Sequence, residues 1–161
     1  MKRKKLKTSK GTIVYWTNEK KENAPKLVFL PGLTADHRLF IKQIQYFQND
    51  FSVMVWDAPG HAFSYPFEMD FKLEDKPRYA KLAGHGFYMV AQAIKAELPY
   101  EITCPSLLIC GTKDQAGFTK RYNKEWAKQS GISIEWIEGA GHNPNTDEPE
   151  KVNSIIENFI R

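Results

Sequence analysis

Short apolar runs alternate with helical-period segments along most of the chain. GTIVYWTNE (11–19) reads as an early strand, half of a hairpin. KLVFLPG (26–32) is a continuous apolar run ending in Pro-Gly, a pattern that suits a strand buried on both faces of a parallel sheet. TADHRLFIKQIQYFQND (34–50) has helical spacing, with Asp36 as cap and Phe40, Ile44 and Phe47 on one face. FSVMVWDAPGH (51–61), CPSLLICGTKD (104–114) and ISIEWIEGAGH (132–142) repeat the buried-strand pattern. TKRYNKEWAKQSG (119–131) is a helix stopped by Gly131. PEKVNSIIENFI (149–160) is another, with Pro149 in its first turn and a stripe of Val152, Ile155, Ile156, Phe159 and Ile160.

Residues 77–98 carry a fourth helical period. Tyr79, Leu82, Ala83, Gly86, Phe87, Val90 and Ile94 share one face, while Arg78, Lys81, His85, Gln92 and Lys95 share the other. Pro77 suits the first turn and Pro99 ends the run. The stripe passes through Gly84-His85-Gly86 unbroken, which makes His85 a surface residue.

Strand–helix alternation predicts the α/β class: an open, mostly parallel sheet with helices on both faces. In such sheets the chemistry sits in the loops beyond the carboxyl ends of the strands. Those ends are Pro31-Gly32-Leu33, Asp57 to His61, Gly111 to Asp114 and Gly139 to His142.

With 161 residues and 42% hydrophobic content, the chain suits one domain with a core of its own. The net charge of +4 is uneven, since six Lys/Arg fall in the first ten residues. Residues 1–10 therefore read as a solvated basic tail and 11–161 as a single domain. No aromatic platform accompanies the tail, so no nucleic-acid partner is expected. No apolar segment follows it as in a signal peptide and no run is long enough to cross a membrane, so the cytoplasm is the expected location. Cys104 and Cys110 read as buried small hydrophobes, and Trp56 and Trp136 as core aromatics. No phosphate-binding glycine loop, metal cluster or dinucleotide fingerprint occurs, and no cofactor is implied.

Four segments carry a resemblance. LVFLPGLTADHRLF resembles the strand and oxyanion loop of the α/β-hydrolases, serine esterases and lipases among them. VMVWDAPGHAFS is similar to the following strand and its turn, CPSLLICGTKD to the strand that ends in the triad acid, and WIEGAGHNPNTDEPEKVNSIIENFI to the final strand, histidine loop and last helix. They occur in family order and cover residues 11–62 and about 100–161. The resemblance implies His142 as general base, Asp114 as the acid that orients it, and the Leu33 backbone N–H as an oxyanion donor. It implies a small carboxylic ester as ligand. His61 and Ser64 fall in a turn that shapes structure, and His37 reads as an exposed helix-start residue.

The serine is missing. A nucleophile elbow needs a buried strand, a strained turn and a helix. KLEDKPRYAKLA upstream of Gly84 has five charged residues before Tyr79 and a proline, so it cannot be a central strand. Two strand–helix units need on the order of 60 residues, and the stretch from Asp57 to Cys104 is too short for them. These counts predict a shortened hydrolase fold, with a junction near LEDKPRY, that lacks the nucleophile strand and most of the cap. Activity would be weak or absent, and Ser64 is the least implausible substitute nucleophile. The alternative is a non-catalytic binding or assembly module, or a degenerate deletion product of the same fold. Closing the gap would place the 26–32 strand beside the 104–114 strand. The new seam would leave a looser core or a homo-oligomer that covers exposed surface.

Overall fold

The structure is a computed structural model and describes residues 1–18, 24–68, 78–97 and 103–161. The chain divides into two compact units, Met1–Tyr100 and Glu101–Arg161. Residues 73–77 of the junction expected near LEDKPRY (73–79) and the helix stop at Pro99 lie outside the described residues.

The first unit opens with a hairpin. Strands β1 (Lys2–Thr8) and β2 (Gly11–Thr17) pair antiparallel, from Lys2 opposite Thr17 to Thr8 opposite Gly11. The Thr8 hydroxyl donates to the Gly11 carbonyl at 2.9 Å across the turn. The expected basic tail, residues 1–10, is thus a paired strand over most of its length. A cluster of lysines says nothing about where the backbone finds its partners; here β2 supplies them. On an edge strand those lysines discourage further pairing.

Strand β3 (Lys26–Phe29) runs parallel to β4 (Ser52–Trp56), and β4 pairs antiparallel with β2, giving the order β1-β2-β4-β3. Asp36 caps a 3₁₀ turn (His37–Phe40), its carboxylate accepting from the Arg38 N–H at 2.9 Å. Helix α1 (Ile41–Phe47) follows and buries Ile44 and Phe47. Phe47 meets Phe51 edge to face at 5.5 Å, and Val14, Val53 and Val55 complete the buried apolar set. Strand β3 departs from expectation: Val28 and Leu30 are exposed. It ends the sheet and covers only one of its faces, so a continuous apolar run has become an alternating strand.

Helix α2 (Arg78–Lys95) occupies the span the sequence predicts. The later part of its apolar stripe is not buried, since Phe87, Val90 and Ile94 are 70%, 57% and 71% exposed. Helical period fixes which residues share a face, not whether that face is covered.

In the second unit β5 (Leu108–Gly111) runs parallel to β6 (Ile134–Ile137), with α3 (Thr119–Ser130) between them. Gly131 ends α3 in the left-handed region at φ 74°, its N–H donating to the Ala127 carbonyl. Helices α4 (Pro144–Asp147) and α5 (Pro149–Ile160) close the chain. Ile137, Ala140 and Val152 form the core, with Ile109, Ile155 and Ile156 packed on it. Phe159 and Ile160, expected in the same stripe, are exposed, as are Trp136 and Cys104. Cys110 is buried, and both cysteines are free.

The strands form a four-stranded and a two-stranded sheet, with β3 and β5 in different sheets. The sequence predicted them side by side. That expectation rested on chain length, and pairing also needs a register that length does not supply.

Candidate active site

Because β5 and β6 are parallel neighbours, their carboxyl ends lie together. The loop after β6 rests directly on the end of β5. The Thr112 and Lys113 N–H groups donate to the carbonyls of Ile137 and Ala140 at 3.0 and 2.9 Å. Gly111 makes this possible: a Cβ there would collide with the backbone carbonyls of Ala140 and Gly141. Two side chains hold the loop from outside. The Gly139 N–H donates to the Thr112 hydroxyl at 2.9 Å, and the Gly141 N–H to the Asp147 carboxylate at 2.8 Å.

The turn from Gly111 to Asp114 and the loop from Gly139 to His142 bring the expected acid and base together. His142 Nδ1 lies 3.0 Å from Asp114 Oδ2, and the other Asp114 oxygen accepts from the Ala116 N–H at 2.8 Å. Asp114 is buried, whereas the His142 side chain is 57% exposed. Burial pushes the Asp114 carboxyl up, but the hydrogen bonds from His142 and Ala116 and the charges of His142 and Lys120 outweigh it. The group sits below its ordinary value. In the tautomer whose Nδ1–H donates to Asp114, Nε2 of this exposed ring carries the lone pair that a general base requires. Among the described residues of this unit no serine or cysteine hydrogen-bonds to His142. Ser106 and Ser130 donate to the carbonyls of Cys104 and Trp126.

In the first unit, Leu33 follows Gly32 and precedes Thr34, which is left-handed at φ 70°. The Thr34 N–H donates to Nε2 of His61 at 3.2 Å, and His61 reaches the Pro59 carbonyl through Nδ1. The Leu33 N–H has no hydrogen-bond partner among the described residues. Ser64 is fully buried; its hydroxyl accepts from the Val14 N–H and donates to the Asp57 carbonyl, each at 2.8 Å.

A second histidine–carboxylate pair was missed. His37 Nδ1 lies 2.7 Å from Asp57 Oδ1, the His37 N–H donates to the same oxygen, and the Phe63 N–H donates to Oδ2. The His37 ring stacks on Trp16 at 3.8 Å. His37 is therefore not a free surface residue. Its signal was available, since His37 and Asp57 both follow the carboxyl ends of the parallel neighbours β3 and β4. Asp36, His37 and Asp57 hold ligand-type atoms within 4.8 Å of one another. Those atoms are already engaged, Asp57 as described and Asp36 by the Arg38 guanidinium. The cluster locks a loop.

No protein-family model and no curated protein matches the sequence. Solved structures do match. A predicted CIB-like hydrolase from Thermoplasma acidophilum superposes at a TM-score of 0.67 with 17% identity, over 99% of this chain and 97% of the other. The carboxylesterase CesB from Bacillus subtilis gives 0.64 at 14% identity, over 99% and 91%. The N-acyl homoserine lactonase AidH, complexed with N-butanoyl homoserine, gives 0.67 at 14%, over 100% and 97%. The chain has the α/β-hydrolase fold. At these identities the likeness is one of fold. An α/β-hydrolase fold places functional loops at carboxyl strand ends, and both histidine–carboxylate pairs of this chain lie there. Among the described residues no helix is long and apolar enough to cross a membrane.

Proposed function

We propose that this α/β-hydrolase-fold chain carries the acid and base of an ester-hydrolase site, Asp114 and His142, in a shortened fold without a serine nucleophile. One observation carries the reading. His142 Nδ1 is tied to buried Asp114 at 3.0 Å, while the ring is otherwise exposed. Asp114 orients the imidazole and stabilises its protonated form. The Leu33 N–H, which the resemblance implies as an oxyanion donor, has no hydrogen-bond partner among the described residues.

The serine is the weak point of any covalent mechanism. Ser64, the least implausible substitute, is buried with its hydroxyl committed to Val14 and Asp57. Residues 19–23, 69–77 and 98–102, outside the described ones, include neither serine nor cysteine in their sequence. The remaining chemistry is hydrolysis by water. His142 Nε2 takes a proton from water as the oxygen attacks the ester carbonyl. The tetrahedral oxyanion collapses, the alkoxide leaves, and it recovers the proton from His142. Without a covalent intermediate this is slow, and activated small esters are the expected substrates.

The test combines a covalent trap with a rate. A fluorophosphonate is incubated with the protein, intact mass is read, and p-nitrophenyl acetate hydrolysis is followed beside His142→Ala. Slow turnover that falls in the variant, without an adduct, supports the reading. A stoichiometric adduct that depends on His142 would reveal a working serine. Equal rates in both proteins would remove the hydrolase reading and favour the non-catalytic one, a binding or assembly module. The exposed stripe Phe87, Val90 and Ile94 on α2 favours that alternative.

A further inference from the structure

Helix α3 presents a basic face of which the acid–base pair uses only the charge of Lys120. Lys120, Lys124 and Lys128 stand at successive i, i+4 positions, and Arg121 lies beside the first. At 1.5 Å per residue the three lysines span about 12 Å of helix. Together with Thr112 and Trp136 they line a cavity of about 760 Å³, formed wholly within the second unit.

Three features separate this face from an ordinary solvated helix surface. The cations are unneutralised: among the described residues no ion pair engages Arg121, Lys124 or Lys128. The one carboxylate in the cavity, Glu125, accepts from Gln129 at 3.1 Å instead. The floor is ordered, since Lys120 Nζ donates to the Thr112 carbonyl at 3.1 Å. And an indole is exposed, with Trp136 39% accessible and the Lys124 ammonium 5.6 Å from its ring centroid.

We propose that this cavity binds a small organic polyanion with two or more phosphate groups and one flat ring, the chemistry of a nucleoside di- or triphosphate. The phosphates lie along Lys120, Arg121, Lys124 and Lys128, and the ring lies on Trp136. A guanidinium grips phosphate oxygens in pairs and the ammonium groups act as point charges. The cavity falls within the roughly 300–1,000 Å³ of small-molecule sites, and one aromatic gives a platform for one ring rather than for a run of bases. The site is independent of ester hydrolysis and stands or falls separately from it.

The probe is ADP, titrated into the full chain by calorimetry and tryptophan fluorescence at low ionic strength. Binding is expected with a Kd on the order of 10–100 µM. Lys124→Glu combined with Lys128→Glu weakens it at least about tenfold, while Lys151→Glu, whose lysine pairs with Glu148, leaves it unchanged. Trp136→Ala weakens ADP but not inorganic tripolyphosphate. These positions are exposed, and far-ultraviolet circular dichroism checks each fold; should the double variant misfold, Arg121→Gln reports in its place. Absence of binding at millimolar ADP, or equal losses in Lys151→Glu, overturns the proposal. So does an oligothymidylate that binds far more tightly than ADP at equal phosphate, which would make the face a nucleic-acid surface.

Discussion

The Leu33 side chain fills the space that a Cβ on Gly86 would need: both of its methyl carbons and its Cγ lie within 3.1 Å of that position. Gly86 is thus the point where α2 approaches the loop after β3. Glycine in a helix costs about 1 kcal/mol relative to alanine. The opposing atoms are the movable end of a leucine, so Gly86→Ala alone should lie within about 1 kcal/mol of neutral. In a Leu33→Ala background the same change should stabilise by about 1 kcal/mol. Urea unfolding of the four proteins reads the cycle, and strict additivity would contradict the contact.

Gly111 is a harder case. Its neighbours are the carbonyls of Ala140 and Gly141, which are backbone. Gly111→Ala should cost about 3 kcal/mol or more, because the strand end and the histidine loop must separate. Thermal unfolding gives the loss. Any esterase activity should vanish with it, since the same movement pulls His142 from Asp114.

Acid should expose the pair. The Asp114 carboxyl lies below its ordinary value of 3.8 in the folded chain. A depressed carboxyl contributes stability above its unfolded value, and that contribution fades as pH falls through the folded one. Wild type should therefore lose stability relative to Asp114→Asn as pH drops from about 5 toward 2. Denaturation midpoints of both proteins across that range give the comparison. Parallel curves would mean that the pair does not form in solution.

Ser64 separates a structural from a chemical role. Ser64→Ala strands the buried Val14 N–H and removes the bond to the Asp57 carbonyl. It should destabilise by about 1–3 kcal/mol. Ester turnover measured well below the melting temperature should not change. A drop in rate without a drop in stability would reinstate Ser64 as the nucleophile.

The Asp57 carboxylate carries three hydrogen bonds on one buried group. Asp57→Ala should cost about 3–5 kcal/mol and free the turns at His37 and Phe63. Proteolysis at those turns, compared with wild type, checks it. His37→Phe keeps the stack on Trp16, loses one of the three bonds, and should cost less.

Strands and helices were legible wherever local chemistry decided them. The Gly131 stop, the Asp36 cap, Pro149 at the start of α5 and the meeting of Asp114 with His142 all follow from residues near in sequence or from parallel strand ends. What failed was coverage. The apolar faces of α2 and β3 were identified, but whether Phe87, Val90, Val28 and Leu30 are buried depends on partners that periodicity does not name. The β1 strand was hidden because five of its seven residues are basic, and charge pattern outweighed the turn at Ser9-Lys10. His37 and Asp57 were read separately, one as an exposed helix-start residue and the other at a strand end, because their pairing is a property of adjacent strand ends and not of either motif.

Asp114 and His142 are 28 residues apart, and every group that holds them lies between Gly111 and Asp147. The pair therefore behaves as a cassette. Among the described residues, none between Asp57 and Leu108 supplies a hydrogen bond that shapes it. An acid and base that need so little of the chain can meet a nucleophile grafted anywhere the exposed ring of the histidine can reach.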